Sequence, residues 1–148
     1  MKKIQITFEK GGCLTGWLDE NKAPETVTAL WSSLPCETVC KHTRWCGREI
    51  YGSIKTGAIP ARENNTSTVS KFDISYWRED WDVTTGKTPE EAGETMGFYY
   101  GPEYLKYAGG TLSLNVIGRI VWEDEKTLDE VGERIWKQGF EKMKIEKA

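Results

Sequence analysis

Apolar and polar residues alternate along most of this chain, and that two-residue period predicts strands. Over residues 3–9 the apolar positions are Ile4, Ile6 and Phe8, so one face of an extended segment is set for burial. Gly11-Gly12 supplies a turn, and residues 13–18 return as the second arm of a hairpin. The period recurs over residues 49–56, with Ile50, Gly52 and Ile54 on one face, and over residues 72–77. Residues 38–45 read as a more polar extended segment and residues 96–100 as a short aromatic strand. A long strand over residues 112–122 is expected to place Leu112, Leu114, Val116 and Gly118 on one side, and Phe140, Met143 and Ile145 suggest a closing strand.

Two segments follow a helical period instead. Pro24 suits a first turn, and residues 25–33 put Val27, Leu30 and Trp31 on one face before Pro35 stops the helix. Later, Thr127 with Glu130 three residues on forms a capping-box pattern; Leu128, Val131, Ile135 and Trp136 follow, and Gly139 ends the helix. The polar insertion over residues 78–95, with Gly86, Pro89 and Gly93, reads as a loop or lid; its acidic Glu79-Asp80-Trp81-Asp82 stretch suits a solvated edge, with Trp81 folded over a pocket as the alternative. Seven or eight strands with one helix early and one late predict a mainly β fold. The expected architecture is a closed antiparallel barrel capped by two helices, one domain over residues 1–148.

Composition narrows the function classes. The chain has 20 basic and 23 acidic residues, interspersed, for a net charge of -3; no basic stripe exists to neutralise a phosphate backbone, which argues against nucleic acid. No apolar run approaches the roughly 20 residues that span a bilayer. The opening Met1 to Phe8 alternates rather than continuing as a solid apolar segment, so a cytoplasmic location is expected. In that compartment Cys13, Cys36, Cys40 and Cys46 need no disulfide framework. Cys40, His42 and Cys46 lack the paired Cys-x-x-Cys spacing of structural metal sites, so neither a metal nor a cofactor is expected.

Candidate chemistry gathers in two patches, Cys40-Lys41-His42-Thr43-Arg44-Trp45-Cys46-Gly47-Arg48-Glu49 and Glu63-Asn64-Asn65-Thr66. His42 is the only histidine, and its type titrates nearest neutrality. Guanidinium groups such as Arg44 and Arg48 bind planar carboxylates in bidentate fashion, and Trp45 suits stacking. Plainer readings stand beside these. The arginines can be ion-paired with Glu49 or Glu63, His42 can be hydrogen-bonded in a strand, and the asparagines and threonine can shape a turn. Of Tyr99 and Tyr100, which alternate faces, one is expected in the core and the other at the site.

Several motifs resemble a known family. They are Ala23-Pro24-Glu25-Thr26 and Leu34-Pro35 around the first helix, His42-x-x-Trp45-x-Gly47-x-Glu49, Glu63-Asn64-x-Thr66, Tyr100-Gly101, and Gly139 after the last helix. In order and spacing they resemble a bacterial family of cyclophilin-like proteins of unassigned function, a likeness that covers nearly the whole chain and implies a cyclophilin-like barrel. Phe72, before Asp73, departs from it: a glycine is expected there, and the substitution bears on the turn. The likeness to prolyl isomerases is one of fold. Their His-Arg pair is split here by Thr43, and residues 52–57 lack their glutamine and glycine pair, which argues against a peptidyl-prolyl isomerase.

These readings combine into a pocket for a small, polar, planar and partly anionic metabolite. Arg44, Arg48, Asn64 and Thr66 would orient it, Trp45 and Tyr100 would stack, and His42 with Glu63 would handle protons. The protein is then an enzyme acting on an amide or imide, or a non-catalytic module that binds a small molecule or a protein. Self-association is left open.

Overall fold

The alternating segments pair as eight long strands that close on themselves. In the computed structural model, which describes residues 1–79, 86–88 and 90–148, these are β1 (Lys2–Phe8), β2 (Cys13–Leu18), β3 (Cys36–His42), β4 (Glu49–Ile54), β5 (Asp73–Arg78), β6 (Glu94–Tyr99), β7 (Leu114–Ile120) and β8 (Glu141–Lys147). The order around the barrel is β2-β1-β8-β3-β4-β6-β5-β7, every pairing is antiparallel, and β7 returns to β2. Eight strands enclose a space that side chains alone can fill. Ile4, Ile6, Leu14, Ile50, Ile74, Met96, Phe98, Ile117 and Ile145 fill it, each with no exposed surface. Fully burying one such side chain contributes about 1.5–3 kcal/mol.

Two helices close the ends. Helix α1 (Pro24–Ser33) buries Val27 and Leu30 at the mouth where β2 ends and β3 begins. Helix α2 (Glu125–Gln138) buries Leu128, Val131 and Ile135 at the other mouth, where β8 begins. Among the described residues no helix is long and apolar enough to cross a membrane.

Three expectations need correction. Helix α2 starts two residues before Thr127, at Glu125, after a 3₁₀ turn over Trp122–Asp124, so Thr127 lies inside the helix and the capping box does not form. The acidic stretch Glu123-Asp124-Glu125 favours the helix start by facing the positive end of its dipole. The regular alternation through residues 112–118 is broken by a bulge between Val116 and Gly118. It sends Leu114 and Val116 to the outer face but Ile117 and Ile120 into the barrel. The extended segment expected over residues 38–45 ends earlier, at His42, where β3 stops; in an unbroken strand Cys40, His42, Arg44 and Cys46 would share one face, but Cys40 joins the barrel core and Cys46 an outer cluster. Of the lid expected over residues 78–95, residues 80–85, with Trp81, and residue 89 lie outside the described residues, while Arg78 ends β5 and Glu94 opens β6.

Phe72 occupies the left-handed region, φ 77, as a glycine would do at no cost. Its N–H donates to the Tyr99 carbonyl at 2.8 Å and its carbonyl accepts from Ile120 N–H at 2.8 Å, so the bonds on both sides impose the turn despite the side chain.

Outside the barrel, residues 101–113 fold back over β4, β6, β5 and β7. Thr68–Val69 pairs with Glu103–Tyr104, and Lys106–Tyr107 with Gly110–Thr111. Beneath them Cys46, Val69, Tyr99, Leu105 and Leu114 form a second, smaller apolar cluster, against which Trp77, Leu112 and Val116 pack.

Candidate functional site

The first patch begins where β3 runs out. His42 is half-buried between two rings, 4.8 Å from the Trp136 ring of α2 and 5.7 Å edge-on to Tyr100. Its Nδ1 lies 2.7 Å from the Thr43 carbonyl oxygen, which only accepts, so this nitrogen carries the proton. In the neutral ring Nε2 is therefore the acceptor for the Tyr100 hydroxyl at 2.6 Å. Burial, then the negative charge of Glu133, pushes the Tyr100 phenol up to about 12, so it stays a donor at neutral pH. Both imidazole nitrogens are thus engaged by protein groups.

Around His42 the other residues of the patch diverge. Trp45 is 61% exposed and Arg44 is exposed as well. Arg48 turns to the returning loop, with Nε 2.5 Å from Glu103 Oε1 and a terminal nitrogen donating to the Pro102 carbonyl at 3.0 Å. Glu49 points the other way, into the outer cluster.

The second patch serves the opposite mouth of the barrel. Helix α1 has Ala23 at its N-cap, which offers no side-chain acceptor, and Glu63 supplies one from elsewhere in the chain. Its carboxylate accepts Glu25 N–H at 3.0 Å, Thr26 N–H at 2.9 Å and the Thr26 hydroxyl at 2.8 Å. Burial alone would raise this carboxyl, but those donors outweigh it and hold it below its usual value. A depressed carboxylate adds stability above its ordinary range and loses it as pH falls through the folded value. Glu63→Ala should therefore destabilise the fold by about 1–2 kcal/mol at pH 7. The difference from wild type should shrink in acid, as read from urea midpoints; a loss no larger than at any exposed site would refute the cap.

Asn64, left-handed at φ 44, donates through Nδ2 to the Val116 carbonyl at 2.7 Å, and Thr66 accepts Thr68 N–H at 3.1 Å. So the structure brings His42 and Tyr100 together, with Arg44, Trp45 and Arg48 on adjoining loops. It does not bring Glu63, Asn64 and Thr66 to them; these clasp α1 and β7 at the far mouth.

Chemistry that the sequence reading missed collects at that mouth. A cleft of about 510 Å³ opens between it and the returning loop; Arg62, Asn65, Tyr76, Trp77, Arg78, Tyr107 and Asn115 are among its lining residues. Asn115, 4% exposed, is the hub. Its Oδ1 accepts Glu63 N–H at 3.1 Å and Asn65 Nδ2 at 2.9 Å, while its Nδ2 donates to Thr26 Oγ1 at 3.1 Å and the Ala61 carbonyl at 2.9 Å. Tyr76 donates its hydroxyl to Glu94 Oε1 at 2.7 Å, and Glu94 also accepts Thr56 N–H at 3.0 Å. A visible signal existed in the Tyr76-Trp77-Arg78 run at the end of a strand and in Arg62 beside the second patch. Among the described residues no group of three His, Cys, Asp or Glu side chains is placed to hold a metal ion.

The profile of a family described as protein of unknown function, DUF3830, matches residues 6–147. The chain belongs to that family. No curated protein matches it. Among solved structures it is similar to McbB in complex with tryptophan, at 21% identity and a TM-score of 0.73, over 97% of this chain and 44% of McbB. It is also similar to the solution structure of the hypothetical protein AF2241 from Archaeoglobus fulgidus, at 25% identity and a TM-score of 0.59, over 99% of this chain and 95% of that one. At these identities McbB and AF2241 speak for the fold, a closed eight-stranded barrel, and the DUF3830 chain spans less than half the length of McbB.

Proposed function

We propose that this protein binds a small planar carboxylate in the cleft at the α1 mouth of the barrel. The observation that carries the reading is the lining itself: two guanidinium-bearing residues, Arg62 and Arg78, with Trp77 and Tyr107 for stacking and the exposed Asn65 amide, which the satisfied Asn115 holds in place. Guanidinium forks match carboxylate geometry, and aromatic faces favour a flat ring. Of the residues named from the sequence, Asn64 and Thr66 lie at this mouth, whereas Arg44, Trp45, Arg48 and Tyr100 lie at the other and take no part in the cleft. Binding without turnover is favoured over chemistry on an amide or imide because His42 and Glu63 are both engaged by protein partners. A cyclophilin-like assignment of the barrel and a bacterial origin belong to the same proposal, carried by the motifs around His42, Glu63 and Tyr100, and the four free cysteines fit the cytoplasmic location proposed with them.

McbB, solved with tryptophan, supplies a first probe. L-Tryptophan and indole-3-acetate should raise the melting temperature, and tryptamine, which lacks the carboxylate, should not. At a hundredfold excess over Kd a true ligand stabilises by about 2.7 kcal/mol. Arg78→Met should weaken binding by at least about tenfold, the loss of one charge-assisted bond. No shift with any planar carboxylate, or a shift that Arg78→Met leaves unchanged, would remove the reading. If a probe is converted, and His42→Ala or Glu63→Gln stops conversion while binding survives, the enzyme reading replaces it.

A further inference from the structure

The molecule buries a carboxyl that ligand binding does not use. Glu49, at the start of β4, is 6% exposed and faces the outer cluster rather than the barrel. Its carboxyl rests on Gly97 of β6, where an added Cβ would collide with its Oε1 and lie 2.7 Å from the Ser75 hydroxyl. The titratable groups facing it are Tyr99 across the β4–β6 pair, Tyr51 on its own strand and Cys46. None is a cation. Arg48, the next-door guanidinium, is committed to Glu103 and the Pro102 carbonyl, and Lys106 presents its carbonyl to the Cys46 thiol at 3.2 Å.

The segment that packs on Cys46 and Tyr99, two of the groups facing Glu49, also walls the cleft. Residues 101–113 contribute Leu105 and Leu112 to the outer cluster and Tyr107, Thr111, Leu112 and Ser113 to the cleft lining. Their seat is held by Leu105 N–H to the Ser67 carbonyl at 2.8 Å, the two-residue pairing with Thr68–Val69, the Arg48–Glu103 pair, and the bonds of Arg48 to the Pro102 carbonyl and of the Cys46 thiol to the Lys106 carbonyl. An ionised carboxyl here meets no cation among the described residues and must reach water, and residues 101–113, seated on Cys46 and Tyr99, are the segment whose lifting would admit it.

We propose that the neutral carboxyl of Glu49 is a latch that keeps residues 101–113 seated, so that its ionisation frees this segment and with it one wall of the ligand cleft. The proposal rests on the cleft reading above. Burial, only partly opposed by the Tyr99 hydroxyl, pushes the carboxyl from its ordinary 4.5 up to about 8. A hydrated carboxyl in the lifted state keeps its ordinary value. Lifting therefore becomes easier as pH rises between these two values and levels off above the upper one. Burial also raises Cys46, to about 11, and Tyr51 and Tyr99 above the ordinary phenol range, so these groups stay neutral across the window.

Hydrogen exchange in the full chain reads the seat without any ligand. Protection factors at the Leu105 and Leu112 amides, bonded to the Ser67 and Leu105 carbonyls, should fall at least about tenfold in wild type from about pH 5.5 to 8. In Glu49→Gln, neutral at every pH, they should change less than about threefold. Affinity for indole-3-acetate should follow the same pattern. Glu49→Met, also uncharged, gives a second flat profile that does not depend on the glutamine folding well. A pH slope in both variants equal to that of wild type, or none in wild type, overturns the latch. Protection that behaves as stated, with indole-3-acetate bound at no pH, leaves the latch standing and removes the cleft reading.

Discussion

Replacing Arg134 with methionine should cost the fold about 3–5 kcal/mol, the typical loss when one member of a buried ion pair is removed. Glu141, 3% exposed at the start of β8, receives Arg134 Nε at 2.8 Å through one oxygen and Lys10 N–H at 2.9 Å through the other. The same guanidinium donates to the Gly11 carbonyl at 2.8 Å, so it ties the β1–β2 turn, α2 and β8 together. Without Arg134 the carboxylate keeps a single amide donor in an apolar setting. The double replacement Arg134→Met with Glu141→Leu should recover most of the loss, since it leaves no charge behind. Denaturant midpoints on the two single variants and the double one form a cycle. A single-variant loss below about 1 kcal/mol, or a double variant no better than either single one, would refute the account.

Gly118→Ala should destabilise by about 3 kcal/mol, at the upper end for overpacking a core. An added Cβ would collide with the Trp17 carbonyl oxygen and come within 3.0 Å of the Leu18 Cα, both backbone atoms that no rotamer change can clear. The site is also where the barrel closes: β7 meets β2 through Gly118↔Leu18, Arg119↔Trp17 and Ile120↔Gly16. Pushing these strands apart loosens the seam, so the variant should lose midpoint and show faster exchange at the Leu18 amide. Stability within about 0.5 kcal/mol of wild type, the range of an ordinary surface change, would show that the seam adjusts freely.

Much of the fold was legible because it depends on local periodicity. The alternation of Ile4, Ile6 and Phe8 and of Ile50, Gly52 and Ile54 named buried faces, and Pro24, Pro35 and Gly139 bounded the helices. Phe72 shows where a local rule yields: a residue type wrong for a left-handed turn holds one because Tyr99 and Ile120 bond to its backbone from two other segments. The bulge at Val116–Gly118 was invisible for a related reason, since an extra residue is defined by the partner strand β5.

The candidate site was less legible. His42 and Tyr100, 58 positions apart in sequence, were both named, yet their hydrogen bond joins the end of β3 to the chain just past β6, and only the barrel makes those neighbours. Glu63 looked chemical in sequence because a charged residue among asparagines in a loop has two uses, and the difference lies in what faces it. What faces it is the N-terminus of α1, 37 residues earlier in the chain at Thr26. By itself the sequence determined both helices, most of the strands and the apolar faces away from the Val116–Gly118 bulge, because propensity and periodicity act within a few residues. Only the tertiary structure decided where each polar group is satisfied, because a hydrogen bond is set by distance in space and closing the barrel is what brings Glu63 to α1, Arg134 to Glu141 and the Cys46 thiol to residues 101–113.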